Sequence, residues 1–150
     1  MASISLTKVI DKMKMENLTP DVDIKPIKVM QPDINRPALQ LAGYVEHYES
    51  TRLQILGFVE YTYMQSLTEE RKKEVYAEVI REGCPGFVFC RDLEPDEIFL
   101  EIANAKGVPV LKTSKATSTF MAECIRWLNV KLAPCISVHG VLVDVYGEGV

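Results

Sequence analysis

His139 is the first residue that could do chemistry. It is the lone imidazole in an otherwise apolar run, Ile136-Ser137-Val138-His139-Gly140-Val141, and Gly140 beside it lets a backbone or a ligand approach closely. Imidazole exchanges a proton near neutral pH, so the position suits an acid–base group; a buried histidine bonded to backbone gives the same local pattern. The other candidates are cations. Arg91-Asp92 follows the apolar run 87–90, and Lys112-Thr113-Ser114-Lys115 follows the run 108–111, directly before a helix. In a sheet of parallel strands such loops lie at the carboxyl ends, where ligands bind. Two lysines, hydroxyls and a helix N-terminus favour an anion, which makes Arg91, Lys112, Ser114 and Lys115 a candidate anion-binding set. Helix capping by Ser114 or Thr117, with solvated lysines, accounts for the same residues. His47, beside Glu46 and Glu49, reads as surface.

Other chemistries lack their residues. Cys84, Cys90, Cys124 and Cys135 form no CxxC pair, so neither a zinc site nor a disulfide framework is expected. Cys90 and Cys124 sit in apolar runs and read as buried free thiols, which fits a reducing cytoplasm. Cys135 and His139 are four residues apart, about 13 Å along a strand, too far to act as nucleophile and base. The run Glu69-Glu70-Arg71-Lys72-Lys73-Glu74 alternates in sign at helical spacing and reads as a solvated face. Gly147-Glu148-Gly149 begins a glycine pattern, but a phosphate-cradling loop needs GxxxxGK[ST]. A net charge of -4 over 150 residues speaks against a generic nucleic-acid backbone binder. No 18-residue apolar stretch and no N-terminal signal pattern occur, so a cytoplasmic protein without membrane or nucleic-acid partners is expected.

The elements that must position these residues can be read from periodicity. Leu6, Val9, Ile10 and Met13 make the stripe of an amphipathic helix, stopped by Asn17 to Pro20. Ile27 to Met30 reads as a short strand, residues 32–37 as a turn-rich connection, and 38–48 as helix or extended, with helix preferred. Leu53 to Gly57 is a strand that Val59 to Met64 could continue. Ser66 and Glu69 form a capping box for a helix with Val75, Tyr76, Val79 and Ile80 inside and Gly83 at its end. Residues 86–90 and 108–111 read as strands buried on both faces. Between them runs a helix from Pro95 or Asp96 to Gly107, with Ile98, Ile102 and Ala105 facing in. A last helix carries Met121, Ile125, Leu128 and Leu132, and Pro134 closes it before a strand over about 137–146. Strand and helix alternate from residue 51, which predicts an α/β fold: a mostly parallel or mixed sheet sandwiched between helical layers. The only boundary falls near Ala133-Pro134.

Three blocks of sequence then carry a family resemblance. They are Asn35-Arg36-Pro37-Ala38-Leu39-Gln40-Leu41-Ala42-Gly43-Tyr44 with Arg52-Leu53-Gln54-Ile55-Leu56-Gly57; Arg91-Asp92-Leu93-Glu94-Pro95 ahead of Gly107-Val108-Pro109-Val110-Leu111; and Lys131-Leu132-Ala133-Pro134 leading into residues 139–147. Together they resemble the N-terminal domain of the bacterial bifunctional HPr kinase/phosphorylase over nearly the whole chain. Ala38, where many members have glycine, is a mild departure. The resemblance implies a fold like that of the N-terminal domains of peptidoglycan-precursor ligases. It implies a homo-hexameric parent enzyme that phosphorylates and dephosphorylates a regulatory serine of the phosphocarrier HPr in carbon catabolite repression, using ATP and Mg2+. It places an active-site histidine at His139 and the ATP-binding P-loop beyond Val150. Residues 1–133 would be the N-terminal domain and 134–150 the first strand and hairpin of the kinase domain. This chain would hold no cofactor and would serve assembly or regulation. The alternative is a stand-alone module that binds a small regulatory anion.

Overall fold

In the computed structural model, which describes residues 2–133, the three central apolar runs lie side by side in one sheet. β1 (Ile4–Ser5) leads into α1 (Leu6–Met13), then β2 (Glu16–Asn17), β3 (Lys28–Val29), β4 (Ile34–Asn35) and α2 (Ala38–Leu41). There follow β5 (Leu53–Leu56), α3 (Phe58–Gln65), α4 (Glu69–Val79), β6 (Phe87–Phe89), α5 (Glu97–Lys106), β7 (Val110–Lys112) and α6 (Thr117–Leu132). The main sheet has the order β2-β7-β6-β5-β4, with β4 to β7 parallel and β2 antiparallel at the edge. β1 and β3 form a separate antiparallel pair. The fold is therefore α/β with a mixed sheet flanked by helices.

Two-fold alternation along the strands divides the core between the sheet's faces. Leu56, Phe87, Phe89 and Val110 pack with Tyr76 and Val79 of α4 and Phe99 and Ala103 of α5. Leu53, Ile55, Val88 and Leu111 pack with Leu6, Val9 and Met13 of α1 and Phe120, Cys124 and Leu128 of α6. β5 and β6 are buried at every residue, which is why they read as continuous apolar runs. Among the described residues no helix is long and apolar enough to cross a membrane.

Several elements depart from the periodicity. Ile34–Asn35, expected in a connection, is a strand parallel to β5, because the Asn35 amide donates to buried Gln54 Oε1 at 2.7 Å. Residues 58–65 form a helix rather than prolonging β5, since Glu60 Oε1 accepts the Gly57 N–H at 3.0 Å and seeds the first turn. That helix runs into Ser66, so the cap of α4 is Thr68, whose hydroxyl accepts from Arg71 N, and the Ser66–Glu69 box does not form. α4 stops at Val79, ahead of Gly83, and the helix expected within 38–48 is confined to 38–41. The inner faces of α5 and α6 are rotated. Phe99 and Ala103 are buried while Ala105 is exposed; in α6 Leu128 is buried as expected, but Thr117, Phe120 and Cys124 join it in place of Met121, Ile125 and Leu132. Large rings decide the first case: Phe99 stands edge-on to Tyr76, Phe87 and Phe89 at 5.1, 5.4 and 5.1 Å. Gly107 does close α5, in the left-handed region at φ 69°. The strand expected over 137–146, His139 and the boundary near 134 lie outside the described residues.

Candidate functional site

Parallel pairing of β4 to β7 brings their carboxyl ends to one edge of the sheet: Arg36, Gly57, Cys90 to Asp92, and Thr113 to Lys115. The centre of this edge is filled by the chain's own side chains. Arg36 donates from Nε to Glu60 Oε2 at 2.8 Å and from Nη2 to Glu60 Oε1 at 2.6 Å. The Glu60 carboxylate is almost fully buried and also receives the Gly57 N–H. A two-pronged guanidinium clamp plus a backbone donor is what a buried carboxylate needs. Gly57 can be nothing larger without movement, because a Cβ there would lie 2.6 Å from Thr117 Oγ1 and 2.8 Å from Arg36 Nη2. Thr117, in the first turn of α6, is buried near the Cys90 thiol. Burial pushes that thiol up to about 11, only partly offset by Thr117 and the nearby arginines, so it stays protonated at neutral pH.

A second polar group supports the same edge. Gln54, fully buried in β5, accepts from Asn35 and donates from Nε2 to the carbonyls of Glu49 and Arg52 at 3.0 and 2.8 Å. The Asn35 amide also reaches Gln40 Oε1 at 3.4 Å. The blocks 35–44 and 52–57 therefore meet as one hydrogen-bonded latch between β4, α2 and β5.

The candidate anion set is brought together in backbone and parted in side chains. Arg91 and Asp92 take consecutive left-handed conformations, φ 59° and 56°, and their N–H groups donate to the carbonyls of Lys115 and Thr113 at 2.9 Å each. Ser114 is exposed between them. Lys112 Nζ turns to Glu94 and Glu16, and the Glu94 hydrogen bond holds it above the usual lysine range. Lys115 Nζ turns to Glu123 on α6. Thr113 Oγ1 accepts from Lys115 N at 3.2 Å, and α6 has no side-chain cap. Arg91 is exposed and has no carboxylate partner among the described residues.

Sequence reasoning passed over Arg36, Glu60 and Thr117 as site residues. The signal for Glu60 was present: a lone carboxylate three residues after a glycine, the spacing at which a side chain reaches back to a helix N-cap. This edge does not fit a nucleotide with its metal. The glycine turn between β5 and α3, where a phosphate would approach, is stoppered by Thr117 and Arg36, and its first free N–H already binds a carboxylate. Among the described residues no three His, Cys, Asp or Glu side chains gather as a metal site.

The family model described as HPr Serine kinase N terminus matches residues 4–128. An HPr kinase/phosphorylase of Lachnoclostridium phytofermentans is 50% identical over 150 residues, covering 100% of this chain and 48% of that protein. One from Streptococcus thermophilus is 36% identical over 148 residues, covering 99% and 48%. One from Caldicellulosiruptor bescii is 37% identical over 143 residues, covering 95% and 46%. The chain spans about half the length of the curated relatives it matches.

Proposed function

The chain belongs to the family of HPr serine kinase N-terminal domains, and from that premise we propose that it serves assembly or regulation in a bifunctional HPr kinase/phosphorylase. The parent enzyme acts on a regulatory serine of HPr in the cytoplasm, using ATP and Mg2+, and assembles as a homo-hexamer. His139 is its active-site histidine, working in a kinase domain that starts near residue 134. Residues 1–133 supply no phosphoryl-transfer machinery of their own. The observation that carries this reading is 50% identity along the full chain to half of a protein named for that activity. The closed strand edge supports it, since Arg36, Glu60 and Thr117 occupy the space a phosphate would need.

The test is incubation of HPr with ATP, Mg2+ and the 150-residue chain, read by intact-protein mass spectrometry. No phosphoserine should form; turnover by this chain alone would overturn the proposal. The alternative, a regulatory module for a small anion, is favoured by one observation, the exposed Arg91 beside Ser114, an arginine with no carboxylate partner among the described residues. Under it, inorganic phosphate raises the melting temperature, and Arg91→Ala with Lys112→Ala abolishes the rise.

A further inference from the structure

α1 and α6 lie on the same face of the sheet, and their inner sides share one cluster. Between their outer sides runs a cleft of about 540 Å³ whose lining includes Lys12, Lys14, Lys115, Arg126, Glu123 and Trp127. Four cations face one carboxylate, a local excess of three positive charges in a chain whose net charge is -4. Lys115 is bound to Glu123, while Lys12, Lys14 and Arg126 have no ion-pair partner among the described residues. The three cations nearest Glu123 hold its carboxyl below the usual range, chiefly through the Lys115 hydrogen bond and also through Arg126 and Lys12.

The carboxyl end of α1 points into this region and accounts for some of the lysine charge. A helix end carries only about half a negative charge, so roughly two and a half positive charges remain uncompensated. Like charges held in one concavity repel, and the arrangement is relieved by an anion that bridges them. The cleft has the size of a small-molecule site, for which about 300–1,000 Å³ is usual. Trp127, the only tryptophan of the chain, lines it and is half-buried against the core, giving the ligand's carbon skeleton an aromatic wall.

We propose that the α1–α6 cleft binds a small organic polyanion, carrying two or more phosphate or carboxylate charges, through Lys12, Lys14, Lys115 and Arg126 with its body against Trp127. The cleft adjoins the strand edge through Lys115, but Arg91, Lys112 and Ser114 do not line it. Lys115, although next in sequence to Ser114, contributes its charge here. The proposal does not depend on the activity of the parent enzyme, so an HPr assay and a binding assay fail independently.

The test uses the 150-residue chain at constant ionic strength, titrated with tripolyphosphate and, separately, with citrate. Trp127 fluorescence and calorimetry are read in parallel. Saturable binding tighter than about 1 mM, a Kd corresponding to roughly 4 kcal/mol, is expected for at least one probe. The tighter of the two identifies phosphate or carboxylate as the preferred charge. Lys12→Ala with Arg126→Ala, both exposed and outside the core, should weaken binding at least tenfold while leaving the circular dichroism unchanged. Lack of saturable binding by either readout overturns the proposal, as does binding that the double substitution leaves intact.

Discussion

Replacing Gly57 by alanine tests whether the strand edge is closed as described. The new methyl would sit 2.6 Å from Thr117 Oγ1, 3.2 Å from Thr117 Cγ2 and 2.8 Å from Arg36 Nη2. Ordinary contact lies near 3.5–4.0 Å, so roughly an ångström must be opened. Neither neighbour yields easily: Thr117 is buried in the first turn of a 16-residue helix, and Arg36 is pinned twice by Glu60. Overpacking of this kind costs about 1–3 kcal/mol. The backbone itself does not object, because φ -107° and ψ -167° are extended values open to any residue. Alanine therefore also gains about 0.4–1 kcal/mol from a stiffer unfolded chain. The net expectation is a loss of about 1–2 kcal/mol, or roughly 2–8 °C in Tm at this size. Urea unfolding followed by far-UV circular dichroism measures it. Thr117→Ala removes both crowding atoms of that residue and leaves only the Arg36 contact, so Gly57→Ala should cost clearly less in that background. The coupling between the two substitutions should reach about 1 kcal/mol or more. A stable Gly57→Ala protein, or two effects that simply add, would refute the closed edge.

Phe99→Ala should cost about 3–5 kcal/mol in the same unfolding assay, since it empties the centre of four packed rings. Ala105→Ser, on the exposed side of α5, should stay within about 0.5 kcal/mol; the reverse ranking would put the helix back in the register its isoleucines suggested. Burial raises the thiols of Cys84 and Cys124 to about 12 and that of Cys90 to about 11, from an ordinary 9.0. Above pH 9 the unfolded chain loses these protons while the folded chain keeps them. The stability they confer is complete below pH 9 and falls as pH rises towards the folded values. Three thiols give a slope of at most about 4 kcal/mol per pH unit, reached near pH ~10; Tyr48 and Tyr76, also raised by burial, add to it at higher pH, and Cys124→Ala should make the fall shallower. Urea midpoints that ignore pH over that range would contradict their burial.

The strands at 53–56, 87–89 and 110–112 were legible because burial on both faces writes itself as an unbroken apolar run. β4 was not, because Pro32 and Pro37 flank it and its polar Asn35 is made tolerable only by Gln54, nineteen residues away. α3 was hidden by residues such as Val59, Tyr61 and Tyr63 that favour strands, while a single carboxylate decides its start. The faces of α5 and α6 were each misjudged for one reason. The stripes were drawn through aliphatic residues alone and passed over the bulkiest rings, Phe99 and Phe120, which are the ones fully buried. At the site, Arg91, Ser114, Lys112 and Lys115 could be placed at strand ends from sequence. Where the lysine side chains point could not, because Glu94, Glu16 and Glu123 draw them from other elements.

The central claim is that this chain, matched by the HPr serine kinase N-terminal family over residues 4–128, has its sheet edge closed to a nucleotide by Arg36, Glu60 and Thr117. Isothermal titration of the 150-residue chain with ATP and Mg2+ tests it most directly. The account predicts no saturable heat from the strand edge, and Arg36→Ala and Thr117→Ala change nothing in the titration. Saturable micromolar binding that either substitution abolishes would contradict it.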